Sequence, residues 1–282
     1  MQQNKLSIYA KSFNWAGYFL PKSTYYKCSC LYDFCRTVDD ITDNKGDLKK
    51  KKLELNNFKK RFYEKDFTSN NIKNMWKLIN EFSISTKIID DLFIGVETDL
   101  QDKVEIKNTK DLLIYSYRVA GTVGLMMAKI LNVNSKNALK AAIDLGVAMQ
   151  LTNIARDVVE DSKRNRKYID HNFSKIKETL RTADTFYESS FKAIREIPLN
   201  CRFAILVARR VYREIGNVIK KKKDLNEYNL CGKIYVSKIG KIKQTVFSII
   251  DFFILIFTKQ ESYSKLDNYL DVNKEINLNE RF

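Results

Sequence analysis

The sequence predicts a single all-α domain, and three observations carry that expectation. Hydrophobic residues make up 44% of the 282-residue chain and aromatics 12%, which suits a folded globule able to bury a sizeable core. Only 2 prolines and 9 glycines occur, leaving little punctuation for strands and tight turns. Apolar residues recur at helical spacing, without a repeat, a low-complexity linker or a composition shift, so residues 1–282 read as one domain. The elements follow in order. Residues 23–44 read as a helix with a polar stripe, and 50–65, 72–83 and 85–101 as three more. Residues 109–131 form a helix carrying internal glycines, and 135–161 a long one with a second polar stripe. Further helices are expected over 176–195, 199–220, 232–257 and 262–271, with loops of Asn, Asp, Ser and Lys between them.

The formal charge of +16 raises nucleic acid or an anionic surface as partners. The lysines are spread through the chain, and the one dense run, around Lys49 to Lys52, reads as a solvated face. No zinc-finger spacing or RNA-binding aromatic signature accompanies it, so nucleic acid is not expected. A basic chain does suit diphosphate substrates and peripheral contact with an anionic membrane. Five cysteines without metal-ligand spacing and a single histidine, His171, argue against zinc and for reduced, mostly buried thiols. With no signal sequence at the start, the expected location is cytoplasmic, peripheral on the inner membrane face at most. The apolar run "VFSIIDFFILIF" at 246–257 is short for a bilayer span and is broken by Asp251. It reads as a buried terminal helix, with a membrane-facing helix as the alternative.

Two stretches carry chemistry. In "QLTNIARDVVED", Gln150, Asn153, Asp157 and Asp161 stand at steps of three, four and four, one polar line along a helix. In "CRTVDDITD", Asp39 and Asp43 are one turn apart, Tyr32 and Arg36 extend the stripe, and Asp40 lies beside it. Carboxylates so close repel unless cations neutralise them, and magnesium is the hard, oxygen-seeking ion that joins a few carboxylates to substrate phosphates. Either cluster alone also fits a solvated helix face. Together, each with an arginine (Arg36, Arg156), they suggest facing walls that grip a diphosphate and stabilise it as it leaves an allylic carbon. The remaining space should be apolar and dry, so that water cannot quench the cation. A third stretch, "YSYRVAGTVGLMMAKIL", places Ala120, Gly121 and Gly124 inside a helix. A bend, a close-passing lipid chain or tight helix packing would each account for them. Tyr115 and Tyr117 are candidates for an acid/base hydroxyl or a cation-facing ring.

These stretches together resemble the squalene/phytoene synthase family of head-to-head prenyl synthases. "YDFCRTVDDITD" is similar to its first aspartate-rich motif, "YSYRVAGTVGLM" to its tyrosine-bearing helix, and "QLTNIARDVVED" to its second aspartate-rich motif. "KSFNWAGYFLP", "LFIGVETDL", "RNRKY" and "YVSKIGKI" extend the likeness over roughly residues 9–245. The resemblance implies an isoprenoid-synthase helical bundle with a central cavity, prenyl diphosphate substrates, and magnesium as cofactor with manganese as a substitute. It implies Asp39, Asp43, Asp157 and Asp161 as metal ligands, with Asp40 as a helper. Ser12, Tyr32, Arg36, Gln150, Asn153, Arg156 and Tyr235 would contact the diphosphates, and Tyr115 would handle protons around the first half-reaction.

Within the family, the expected reaction is condensation of two C20 diphosphates to phytoene through a cyclopropylcarbinyl diphosphate. The alternative is a C15 reaction giving dehydrosqualene, or squalene if NADPH supplies hydride. Met126, Met127, Ala155 and Phe34 are candidates for setting cavity depth. Ala155, Ile94 and Asp170 depart from the usual pattern, where a larger aliphatic, an acid and a proline are common. Some relatives act as non-catalytic assembly factors that have lost the acids; both clusters are intact here.

Overall fold

Each of the two prolines stands immediately before a long helix, where its fixed φ and missing N–H cost nothing. Pro21 precedes α2 (Lys22–Asp43) and Pro198 precedes α10 (Leu199–Lys220). The computed structural model describes residues 11–44, 46–257, 272 and 274–282. A short α1 (Lys11–Gly17) comes first. After α2 come α3 (Leu48–Tyr63), α4 (Asn70–Glu81) and α5 (Thr86–Thr98). Next are α6 (Thr109–Ser116), a π-helical turn (Tyr117–Gly121) and α7 (Thr122–Ile130). The 27-residue α8 (Lys136–Ser162) is followed by α9 (Phe173–Phe191), α10, α11 (Leu225–Leu230) and α12 (Lys238–Phe257). Side chains cap several starts: Ser135 accepts from the Ala138 N–H, and Asn108 from that of Asp111.

The long α8 is the spine. It packs against α7, the π-turn, α9 and α10, while α2 closes the opposite side through α4 and α7. Behind α2, the rings of Phe34, Phe58, Phe62 and Phe93 pack at centroid distances of 5.3 to 6.4 Å, joining α2, α3 and α5 into one apolar cluster. The small residues left open by the sequence prove to be a packing device. A Cβ on Gly124 would stand 2.2 Å from the Ala142 carbonyl oxygen, and one on Gly146 2.3 Å from that of Ala120. α7 and α8 therefore meet backbone to backbone.

Four expectations need correction. The helix expected over 109–131 is interrupted by the π-turn, an extra residue in one turn that periodicity does not reveal. The helix expected from 232 starts at Lys238, because 231–237 run as a loop, and the short α11 went unforeseen. A two-residue parallel pairing, β1 (Val104–Glu105) with β2 (Arg166–Lys167), was also not expected. Most of the apolar run at 246–257 is exposed instead of buried. The helix expected over 262–271 lies outside the described residues. Among the described residues no helix is long and apolar enough to cross a membrane. Four of the five cysteines are buried and all are free.

Candidate active site

Twelve side chains singled out from the sequence line one cavity of about 870 Å³ between α2 and α8. Asp39, Asp43, Arg36 and Tyr32 come from α2, and Gln150, Asn153, Arg156, Asp157 and Asp161 from α8. Ser12 enters from α1, Tyr115 from α6, and Tyr235 from the loop before α12. The charged residues gather at one end. Beyond them the wall is apolar, with Val119, Val123, Met127, Leu131, Ala138 and Leu145 among its residues.

The four acids divide into two pairs of unlike partners. Arg166 donates to Asp43 at 2.8 Å and Arg164 stands 3.0 Å from it. Burial opposes ionisation of Asp43, but these two guanidiniums outweigh it and hold the group below the usual carboxylate range. Arg156 likewise grips Asp157 through two bonds of 2.8 and 2.6 Å. Against the pull of burial, that fork and Lys233 keep Asp157 low. The other two acids are not clasped in this way, and the arginines near them, Arg36 for Asp39 and Arg166 and Arg164 for Asp161, do not offset burial. Burial and then the neighbouring Asp43 push Asp39 up to about 7; burial and Asp157 do the same for Asp161. Each helix thus presents one carboxylate clasped by arginine and one that is not. Arg36 pairs with Asp40 at 2.8 Å, so Asp40 serves to balance an arginine and does not itself line the cavity.

Backbone irregularity falls at the second acid motif. Asp157 has φ −106° and ψ 15°, a kink inside α8. The Tyr228 hydroxyl of α11 lies 3.0 and 2.9 Å from the carbonyl oxygens of Ala155 and Arg156, answering the acceptors next to the kink.

Several side chains that line the cavity escaped the sequence reading. Asp99, just past α5, accepts from Tyr115 at 2.9 Å and from Tyr168 at 2.6 Å, and the two rings stack with centroids 4.8 Å apart. Burial raises Asp99 in spite of Arg166 and the two hydroxyls, while burial and then Asp99 raise Tyr115 well above the ordinary phenol value. The β1–β2 pair aligns Val104 with Arg166 and so holds Arg166 at the acids. Asp99, Arg166 and Tyr168 lie within "LFIGVETDL" and "RNRKY", stretches whose likeness was visible while their roles were not. Tyr212 donates to Asn153 at 3.2 Å and orients it. Lys233 stands 3.5 Å from Asp157.

Other expectations fail on placement. Of the depth-setting candidates, only Met127 lines the cavity. Phe34 belongs to the ring cluster, and Met126 and Ala155 are sealed in the core. Ala155 therefore does not reshape the chamber. Ile94 is 42% exposed on α5, and Asp170 forms an ion pair with Lys167 in a surface turn.

The cavity lining holds six acids and five cations, so its polar end is close to neutral and cannot by itself balance a polyanion. Among the described residues, no group of three or more His, Cys, Asp or Glu side chains converges to hold a metal ion alone. Carboxylate pairs on α2 and α8 that line the same cavity, one of each pair not clasped by an arginine, do fit hard divalent cations whose coordination is completed by water and substrate oxygens.

An all-helical bundle around one chamber, lined at one end by acids and cations together and apolar beyond, defines the class of fold. Comparison with known proteins agrees. The squalene/phytoene synthase profile matches residues 6–173, and the chain belongs to that family. A 15-cis-phytoene synthase from a Paracoccus species is 35% identical over 46% of this chain and 49% of its own. A phytoene synthase from Pseudescherichia vulneris is 38% identical over 39% and 43%. The match thus spans about half the length of these relatives. A crystal structure of a dehydrosqualene synthase with a bound ligand superposes with TM-score 0.72 at 26% identity, covering 87% of this chain and 93% of that one.

Proposed function

We propose that the chain is a prenyltransferase that joins two geranylgeranyl diphosphates head to head, giving phytoene for carotenoid synthesis. The observation that carries this reading is the single cavity in which both acid pairs, both arginines and Tyr115 meet above an apolar chamber. The relatives named phytoene synthase favour the C20 substrate.

In this reading Asp39, Asp43, Asp157 and Asp161 would hold magnesium, or manganese in its place, and the bound ions would supply positive charge for the diphosphates. Arg36, Arg156, Tyr32, Ser12, Gln150, Asn153 and Tyr235 position the two diphosphate groups. The C1–O bond of one substrate breaks, and its electron pair leaves with diphosphate. The double bond of the second substrate attacks the allylic cation, and loss of one proton closes a cyclopropane. Tyr115 is held protonated, so it accepts that proton only as its own passes to Asp99 at 2.9 Å. Loss of the second diphosphate, ring rearrangement and loss of a second proton complete the hydrocarbon. The apolar wall keeps water from both cations.

The second reading is a C15 reaction giving dehydrosqualene, supported by the likeness to a dehydrosqualene synthase; a squalene outcome adds NADPH. Incubation with magnesium and C15 or C20 diphosphate, with and without NADPH, followed by hydrocarbon analysis, separates all of these. Phytoene from the C20 donor without NADPH is the expected result. A C30 product alone, or no hydrocarbon from either donor, overturns it.

A further inference from the structure

Helix α12 is built the wrong way round for a helix that faces water. A surface helix buries its apolar stripe and exposes its polar one. Here the buried stripe is Gln244, Ser248, Asp251 and Leu255, at steps of four, three and four. Three of its four residues are polar: Arg210 of α10 clasps Asp251 with two bonds, one of 2.6 Å, the Ser248 hydroxyl donates to the Gln244 carbonyl oxygen, and Trp15 of α1 donates to Thr245 beside the stripe at 2.9 Å. The outward face holds Ile242, Val246, Ile250 and Phe253, each 53–54% exposed, and Phe257 at 81%. The 20-residue helix is about 30 Å long, so this apolar strip runs the width of a small domain.

The strip does not stop at α12. Phe252 meets Phe203 with ring centroids 6.3 Å apart, and Phe203 meets Phe19 edge-on at 5.0 Å. Beside Phe19, Tyr18 is 74% exposed in the turn after α1. Gly17 and Leu20, which flank those two, line the cavity. An apolar surface therefore continues from α12 to the rim of the chamber.

Charge decides which partner suits it. The one acid of α12, Asp251, is buried and paired, while Lys238 and Lys243 stand exposed at its N-terminal end on a chain of net charge +16. Pairing with a second copy would set these lysines against each other or against the apolar C-terminal half, with no acid on the helix to meet them. Anionic headgroups meet the lysines while acyl chains receive the apolar strip. We propose that α12 and the turn after α1 form a docking surface for an anionic bilayer, with α12 lying in the plane of the interface. The proposal rests on this surface and not on the condensation proposed above.

The test is sedimentation of the full chain with vesicles of phosphatidylglycerol and phosphatidylcholine, against phosphatidylcholine alone, at low and high salt. Light scattering of the free protein accompanies it. The wild type should pellet with the anionic vesicles and be partly released by salt. The double variant Ile250→Glu/Phe253→Glu should lose at least about tenfold in binding with its helical circular dichroism unchanged. Phe257→Glu, at the most exposed of these positions, supplies the same test if the double variant does not fold. Wild-type protein left in the supernatant, or both variants binding like wild type, would overturn the proposal. So would a free dimer that the variants convert to monomer, since the face would then belong to a second copy.

Discussion

Tyr115 and Tyr168 direct both hydroxyls at the single carboxylate of Asp99, which is buried and raised by that burial. A tyrosine kept neutral takes a proton from carbon only if it can release its own, and Asp99 is the acceptor in reach. Asp99→Asn keeps the shape and removes the acceptor. It should lower turnover by about 10²–10⁴-fold with helicity intact, whereas Tyr168→Phe, which leaves the Tyr115–Asp99 bond in place, should cost far less. Product formation by folded Asp99→Asn at near wild-type rate removes the relay. Asp39 poses a different question, one of stability. Its carboxyl is raised to about 7 by burial and Asp43, although one flank opens to the cavity. Between the ordinary carboxylate value of about 4 and pH 7, the folded chain holds a proton that the unfolded chain has shed. This group therefore adds stability below that window and loses it as pH rises through it. Asp39→Asn should flatten the decline, leaving metal-free protein at pH 8 more stable than wild type by on the order of 1 kcal/mol, after allowance for cavity water. A melting-temperature series from pH 5 to 8 compares the two, and parallel curves would remove the assignment.

At the scale of elements, α8 departs from a regular helix at the second acid motif. The kink falls at Asp157 itself, and the Tyr228 hydroxyl of the short α11 holds the adjacent carbonyls. Tyr228→Phe leaves those buried acceptors without their donor and should destabilise the fold by about 1–3 kcal/mol. Gly146→Ala forces a methyl to within 2.3 Å of the Ala120 carbonyl and should cost about as much or more, because the obstacle is backbone. Gly46→Ala, where a Cβ would meet nothing within 4 Å, is the comparison expected to show little change. Denaturant melts read all three. These features also mark what the sequence could not disclose. Regular periodicity exposed the long helices and both acid stripes, because a stripe needs only spacing along one helix. A π-turn, a kink and a two-residue strand pair leave the spacing almost unchanged, and their causes lie in residues distant along the chain. Asp99, Arg166 and Tyr168 were likewise invisible as a unit, since Asp99 and Arg166 lie 67 positions apart and their segments meet through β1–β2 pairing and the Tyr168–Asp99 bond. The apolar run of α12 was misjudged for a related reason: hydrophobicity reports what a face dislikes, and here the buried side is the polar one.

For the molecule as a whole, the decisive property is the charge balance at the chamber mouth. Arg166 and Arg156 are paired with Asp43 and Asp157, so the charge of each guanidinium is already matched and an incoming diphosphate competes with an acid for it. A released acid in turn needs a new cation. Diphosphate and divalent metal should therefore bind as a linked pair, each supplying what the other displaces. Inorganic diphosphate alone, or magnesium alone, is expected to raise the melting temperature little at neutral pH, and the two together by more than the sum of the separate shifts. Chelation should cancel the combined shift, and Asp161→Asn should weaken the synergy while leaving the apo fold intact. If diphosphate without metal produced the full shift, the arginines would suffice and the two acid pairs would need another purpose. If magnesium alone produced it, the carboxylates would already form a closed site, contrary to the absence of a converging group of ligands among the described residues.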